Sequence, residues 1–211
     1  MPSLRRIAFR LSKTAARGPL IWLRHRGLDA ADVMIASYPR SGNTWFRFIM
    51  AEVLTGRHAG FDDIDRMVPQ VGKHWRGAAT LPGGGRLIKT HEPYRQEYSK
   101  AIYLVRDVRD VLISLYSRGV QAGVFSQLSL QEFVPLFMTG AAINLGSWQT
   151  HVQNWLESPL ARDGRVLVIR YEDLRQEPEA TLASALSFLG APVVAGEIRS
   201  AIQAKRWRTC G

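Results

Sequence analysis

Short apolar runs alternate with longer segments of helical periodicity along most of this chain. Strand-like runs occur at 33–36, 86–90, 101–105 and 165–170. Apolar positions recur at helical spacing at 45–54, 107–118, 129–138, 146–157, 178–189 and 195–205. Strands that alternate with helices predict an α/β fold, with a parallel sheet flanked by helices on both faces. We expect ligands at the βα loops, where the carboxyl ends of the strands meet.

The first strand leads into a small polar loop, Ser37 to Thr44, and then into a helix that begins near Trp45. This P-loop-like layout places backbone N–H groups and the positive end of a helix around a phosphate. Arg40 adds a cation, Ser41 and Thr44 add hydroxyl donors, and Gly42 permits close approach. An ordinary turn is the alternative, because these residue types are common in turns. The loop lacks the Gly-x-x-x-x-Gly-Lys-Ser/Thr pattern of nucleoside-triphosphate sites.

Two further segments place polar residues where strands end. Lys89 and His91 lie two residues apart, so they share one face of a strand and can supply a cation and a base. Arg106 follows the next strand, and Ser114 lies a little over two helical turns later, so both can reach one anion. Taken singly, each pair is more commonly a solvated surface pair.

Together these segments resemble the sulfotransferases that use 3′-phosphoadenosine-5′-phosphosulfate (PAPS). Tyr38-Pro-Arg-Ser-Gly-Asn-Thr-Trp45 is similar to the family's 5′-phosphosulfate loop, and Lys89-Thr-His91 to its catalytic motif. Arg106 to Ser114 keeps the family's spacing for the 3′-phosphate. The segments 146–155 and 166–174 also match in order, so the resemblance covers about residues 32–190.

The resemblance implies a role for each matching residue. His91 would be the general base, Lys89 and Arg40 would stabilise charge on the transferred group, and no metal would be needed. The implied cofactor-binding residues are Arg40, Ser41, Gly42, Asn43, Thr44, Trp45, Arg106, Ser114 and Tyr171. The acceptor would be a small molecule, lipid or carbohydrate with a hydroxyl or amine. The region of Val68, His74 and Trp75 would line its pocket.

Two departures from the family pattern leave alternatives open. Arg40 stands where many members have Lys, and the planar guanidinium of arginine differs in geometry from the ammonium group of lysine. The family's Arg-Lys-Gly loop over the 3′-phosphate and adenine is not found before Gly211, although Trp207 could supply one wall. We therefore expect weaker, salt-sensitive cofactor binding. A truncated, non-catalytic homologue that binds nucleotide and a P-loop-like small-molecule kinase are the alternatives.

Composition and charge set the remaining expectations. The 211 residues suit one domain, 29–211, that follows a basic N-terminal extension, 1–28. The net charge of +10 is consistent with simple solubility, and nucleic-acid binding is an alternative. For an enzyme that uses PAPS, this charge would attract the anionic cofactor, and no specific nucleic acid is expected. The single cysteine, Cys210, excludes an internal disulfide and favours a reducing, cytoplasmic location. The oligomeric state stays open.

The first 28 residues contain no acidic side chain, and apolar residues are mixed among their arginines and lysine. A solvated extension is the favoured interpretation, and an amphipathic segment on an acidic membrane surface is the alternative. Elsewhere, His151 is predicted to be a packing histidine, and Trp148 and Trp155 to share a buried helical face.

Overall fold

A computed structural model describes residues 17–204 of the chain. Its strands are β1 (Val33–Ser37), β2 (Leu87–Thr90), β3 (Ala101–Val105) and β4 (Val166–Arg170). Its helices are α1 (Arg17–His25), α2 (Asn43–Thr55), α3 (Ile64–Met67), α4 (Val108–Gln121), α5 (Leu130–Thr139), α6 (Trp148–Leu156), α7 (Pro159–Arg162), α8 (Tyr171–Gln176), α9 (Pro178–Leu189) and α10 (Ala195–Ala204). A short 3₁₀ helix covers His74–Arg76. Trp207 and Cys210 lie outside the described residues.

The four strands form one parallel sheet in the order β2-β1-β3-β4. This confirms the predicted α/β class and all four predicted strands. In the central strand, Ala36 pairs with Thr90 of β2 and with Tyr103 of β3. The carboxyl ends of these three strands therefore meet at one edge of the sheet, where the loops after them can share a ligand.

Side chains of β1 alternate between two hydrophobic layers, as the two-residue period of a strand requires. Val33 and Ile35 pack in the larger core with helix α2 and helix α9. Met34 and Ala36 face the opposite core, which contains Trp155 of α6. Helices thus cover both faces of the sheet, and the strand ends are held in place by buried apolar contacts on each side.

Local signals in the sequence explain where the helices begin. Asp107 caps α4, where its side chain accepts a hydrogen bond from the backbone N–H of Arg109. Ser129 and Glu132 form a reciprocal capping box at α5. At the start of α8, the Glu172 carboxylate accepts a hydrogen bond from the backbone N–H of Asp107 at 3.0 Å. Glu172 therefore ties the start of α8 to the loop after β3.

The described part of the N-terminal basic segment is packed on the domain. His25 is buried and its Nε2 lies 2.8 Å from the hydroxyl of Tyr98. Arg24 pairs with Glu92 at 3.2 Å and also donates to the carbonyl of Val71. Residues 17–25 therefore form a helix that contacts the domain through Arg24 and His25, whereas residues 1–16 lie outside the described residues.

Candidate active site

A cavity of about 1190 Å³ opens at the carboxyl ends of β1, β2 and β3. Its lining includes most of the residues that the sequence predicted for the site: Arg40, Gly42, Asn43, Thr44, Trp45, Lys89, His91, Arg106, Ser114 and Tyr171. The structure therefore gathers three segments that are far apart in the sequence around one space. Ser41 is the exception, because this loop residue is buried and does not line the cavity.

The loop after β1 turns sharply through two residues with positive φ. Arg40 has φ 72° and Gly42 has φ 86°. A Cβ at Gly42 would lie 2.5 Å from Cδ2 of Tyr171, so only glycine allows the tyrosine ring to pack on the loop. Helix α2 begins at the next residue, and the first N–H groups of a helix have no acceptor within the helix. This geometry suits an anion at the start of α2.

Asn43 supports the loop from below. Its buried side-chain amide donates to the carbonyl of Ile35 at 3.1 Å and to the hydroxyl of Ser37 at 3.1 Å. The side chain thus fixes the end of β1, so it is the backbone of Asn43 that remains for a cofactor. The sequence identified the residue but gave no sign of this internal role.

His91 is held in one orientation beside β1. Its Nδ1 donates to the carbonyl of Ser37 at 2.8 Å, because a carbonyl can only accept. Nε2 is then the unprotonated nitrogen of the neutral ring. Burial, assisted by the charge of Lys89, lowers the pKa of His91 to about 4, although the bond to Ser37 opposes the shift. The imidazole is therefore a neutral base at physiological pH.

Lys89 is the third residue of β2, and its side chain lines the same cavity as His91. Burial lowers the pKa of Lys89 to about 8, and the nearby charge of Arg47 adds to the shift, while Asp65 opposes it. An amine with this pKa is still mainly protonated at pH 7, so it can stabilise negative charge. Lys89 and His91 thus lie together in complementary states, one cationic and one neutral.

His151 holds the segment that carries His91. Its Nε2 donates to the backbone carbonyl of His91 at 3.1 Å, and its Nδ1 lies 2.9 Å from the hydroxyl of Tyr103. Burial lowers the pKa of His151 to about 4, so this ring is also neutral. The predicted packing role is consistent with its burial, but the hydrogen bond to His91 was not visible in the sequence.

Cations gather at the other end of the cavity. Arg40 donates through Nε to the hydroxyl of Ser114 at 2.9 Å. Arg106 donates to the carbonyl of Arg40 at 3.1 Å and to Asp110 at 3.0 Å, and its guanidinium lies 4.4 Å from the ring centre of Tyr171. Burial lowers the pKa of Arg40, and repulsion from Arg118 and Arg106 lowers it further. An anion bound here would relieve this repulsion.

The Arg40 side chain lies beside the residues predicted for the 3′-phosphate. The sequence also assigned Arg40 to the transferred sulfuryl group, near Lys89, and in the structure its hydrogen-bond partner is Ser114. Its catalytic role therefore stays a prediction that requires the guanidinium to move or to act from this position.

Unpartnered polar atoms indicate that the site suits a phosphorylated ligand. Ser41 is only 1% exposed, and its Oγ has no hydrogen-bond partner. The buried Nε of Arg106 also has none. Such atoms are costly unless a ligand or water satisfies them. A nucleotide with 3′- and 5′-phosphate groups fits these donors, and residues 17–204 contain no cluster of His, Cys, Asp or Glu suited to a metal.

The cavity also has a wall that sequence reasoning missed. Phe48, the loop from His58 to Phe61, and Ala204 complete its lining. Phe48 and Phe61 pack edge to face with ring centres 5.0 Å apart. By contrast, Val68, His74 and Trp75, which the resemblance placed near an acceptor pocket, are not part of this lining, because the first two are buried in the domain and the third is at its surface.

Comparison with known proteins identifies the family. A family model described as a sulfotransferase domain matches residues 30–207. The chain belongs to the sulfotransferase domain family. Mouse sulfotransferase 1A1 is 30% identical over 177 residues, which are 75% of this chain and 60% of the mouse protein.

Solved structures of sulfotransferases share the fold. Mouse sulfotransferase SULT7A1 complexed with PAP has a TM-score of 0.70 and 23% identity, over 93% of this chain and 70% of the mouse chain. Retinol dehydratase in complex with androsterone and the inactive cofactor PAP has a TM-score of 0.65 and 19% identity, over 87% of this chain and 66% of that chain. This sulfotransferase chain spans only 58% to 60% of the length of curated relatives such as rat sulfotransferase 1 family member D1 and mouse sulfotransferase 1A1.

Proposed function

We propose that this chain transfers the sulfuryl group of PAPS to a hydroxyl or amine of a small-molecule acceptor. The observation that supports this best is the orientation of His91. Its Nδ1 is bound to the Ser37 carbonyl, and its neutral ring lines the same cavity as Lys89 and the phosphate-binding loop. A neutral base, a cation and an anion cradle in one cavity are what in-line sulfuryl transfer requires.

Each residue has a defined part in the reaction. His91 Nε2 accepts the proton of the attacking hydroxyl or amine, which is worth ~10²–10⁴-fold in rate. The acceptor atom forms a bond to sulfur while the bond from sulfur to the bridging phosphate oxygen breaks. Lys89 stabilises the charge that develops on that oxygen. PAPS supplies the activated sulfuryl group, and 3′-phosphoadenosine-5′-phosphate (PAP) leaves.

The same cavity supplies contacts for the nucleotide. The first N–H groups of α2 and the hydroxyls of Ser41 and Thr44 would hold the 5′-phosphate. Arg106, Ser114 and Arg40 would hold the 3′-phosphate, where their cations already lie close together. Trp45 and Tyr171 both line the cavity and would bound the adenine. We place the reaction in the cytoplasm, since a chain with one cysteine is suited to a reducing compartment.

Binding and transfer assays test the proposal at separate steps. Calorimetry with PAP, 5′-AMP and ATP should show that PAP binds tightest, because only PAP offers a phosphate to Arg106 and Ser114. Preference for ATP would instead support a small-molecule kinase. Transfer of radiolabelled sulfate from PAPS to a panel of alcohols, phenols and amines then tests catalysis. Tight PAP binding without transfer to any acceptor would support a non-catalytic homologue.

A further inference from the structure

Large apolar side chains are exposed on helix α1 and on the 3₁₀ helix beside it. Trp22 is 59% exposed, Leu23 is 56% exposed and Trp75 is 62% exposed. Exposed tryptophans are costly in water, and groups of them mark surfaces that bind something. None of the three lines the active-site cavity.

These side chains lie on neighbouring pieces of backbone. The other side of α1 is occupied by the domain, where His25 and Arg24 make their contacts with Tyr98 and Glu92. At the end of α1, the backbone carbonyl of Arg26 lies 2.9 Å from Nε2 of His74. Trp75 follows His74, and the two rings are 5.9 Å apart. We call Trp22, Leu23, Arg26 and Trp75 the aromatic face.

Positive charge accompanies this face. The guanidinium of Arg26 lies 5.2 Å from the ring centre of Trp22. Nearby carboxylates are already paired, Glu92 with Arg24 and Asp32 with Arg86. The first 28 residues contain seven arginines and lysines and no acidic residue: Arg5, Arg6, Arg10, Lys13, Arg17, Arg24 and Arg26. Among the described residues, the aromatic face thus combines apolar side chains with the cation of Arg26.

We propose that the aromatic face docks the protein on an anionic lipid surface. Tryptophan favours the boundary between headgroups and acyl chains, and arginine can extend to lipid phosphates while its methylenes stay in apolar surroundings. Cationic side chains that lie close to a membrane surface are attracted to its anionic lipids. Binding would be peripheral, because no helix within residues 17–204 has the length and apolar character needed to cross a bilayer. This interaction goes beyond sulfuryl transfer and does not depend on it.

Vesicle co-sedimentation of the full chain tests the proposal. We expect binding to phosphatidylcholine vesicles that contain phosphatidylserine, weak binding to pure phosphatidylcholine, and release at 1 M salt, where the Debye length falls to about 3 Å. The double variant Trp22→Ala/Trp75→Ala should weaken binding to the acidic vesicles at least about tenfold, since each indole would lose apolar contact with the lipid. Arg26→Gln should weaken binding to acidic vesicles but leave binding to neutral ones unchanged.

Met138→Ala is the matched control, because Met138 is also exposed but lies on α5. It should bind like the wild type, and circular dichroism with PAP titration should show that every variant is folded. If the double variant binds acidic vesicles as tightly as the wild type, the attraction is only a charge effect of the basic segment and the docking face is wrong. Failure of the wild type to bind at low salt, or concentration-dependent self-association abolished by the double variant, would also overturn it.

Discussion

At the end of the cavity between β1 and β2, the His91 ring is oriented by the backbone carbonyl of Ser37, and the backbone of His91 is held by the side chain of His151. At the end beside α4, by contrast, the Arg40 side chain is held by the hydroxyl of Ser114, and Arg106 is held by the exposed carboxylate of Asp110 as well as by the backbone carbonyl of Arg40. Backbone partners cannot rotate away, whereas side-chain partners can. The base is therefore positioned before any ligand arrives, while the cations can rearrange around one.

Electrostatics separates the two ends in the same way. Burial keeps His91 neutral and lowers the pKa of Lys89 to about 8, so the catalytic end carries a single cation beside a neutral base at pH 7. At the other end, burial lowers the pKa of Arg40, and repulsion from the neighbouring Arg118 and Arg106 lowers it further. A folded protein accepts this cost when a ligand relieves it. Chemistry and affinity should therefore respond to different substitutions.

The largest expected effect is at the catalytic end. His91→Ala should lower turnover at least about a hundredfold, because it removes the base. PAP affinity, measured by calorimetry, should stay within a few-fold of wild type, since His91 has no contact with Arg40 or Arg106, the arginines proposed to hold the 3′-phosphate. Turnover close to that of wild type would show that another group takes the proton.

At the anion end, Arg106→Ala should weaken PAP binding by roughly ten- to a hundredfold, since a hydrogen bond to a charged group is worth about 1.5–3 kcal/mol. Binding of 5′-AMP should change much less. Arg109→Ala is the control, because Arg109 lies on the same helix but is exposed and pairs with Asp107. An equal loss for both nucleotides would remove Arg106 from the 3′-phosphate site.

Asn43 and Ser41 separate stability from binding. Asn43→Ala should lower the free energy of unfolding by about 1–3 kcal/mol, because it removes buried bonds to Ile35 and Ser37. Ser41→Ala removes a buried hydroxyl without a partner, so it should leave that free energy unchanged or raise it, but weaken PAP binding. Urea denaturation and calorimetry measure both. If Ser41→Ala lowered stability and Asn43→Ala weakened only PAP binding, the structural role would belong to Ser41 and the binding role to Asn43.

The smallest effect is on the pH profile. The rate should rise as His91 loses its proton near pH 4 and fall as Lys89 loses its proton near pH 8. An aliphatic alcohol acceptor keeps substrate ionisation out of this range. In Lys89→Arg, any remaining activity should lack the alkaline decline, since arginine stays protonated. An unchanged alkaline limb in that variant would assign it to a different group.

The apolar pattern was sufficient to predict the strands and most helices. Strands 33–36 and 101–105 were visible because their residues are buried on both faces, and such strands read as continuous apolar runs. The loop with Arg40 and Gly42 was visible because strand, small residues and helix follow one another directly. The caps at Asp107 and Ser129 are local for the same reason, since each involves residues two or three positions apart.

Contacts between distant segments could not be predicted in this way. Nothing near His151 in the sequence shows that its ring reaches the carbonyl of His91, 60 residues away. Residues 1–28 were interpreted as a solvated extension, and nothing near Arg24 and His25 in the sequence shows that these two side chains find partners around residues 71, 92 and 98.

The sequence alone determined the fold class, the order of its elements and the residue types that can bind phosphate and move a proton, because these follow from local periodicity and from motifs within single segments. Only the tertiary structure decided the protonation states and the hydrogen-bond partners of the site residues. The pKa of His91 depends on burial and on Lys89, and the partner of Arg40 is 74 residues away. Burial and electrostatic coupling depend on distances in space, which the chain acquires only when the strands have paired.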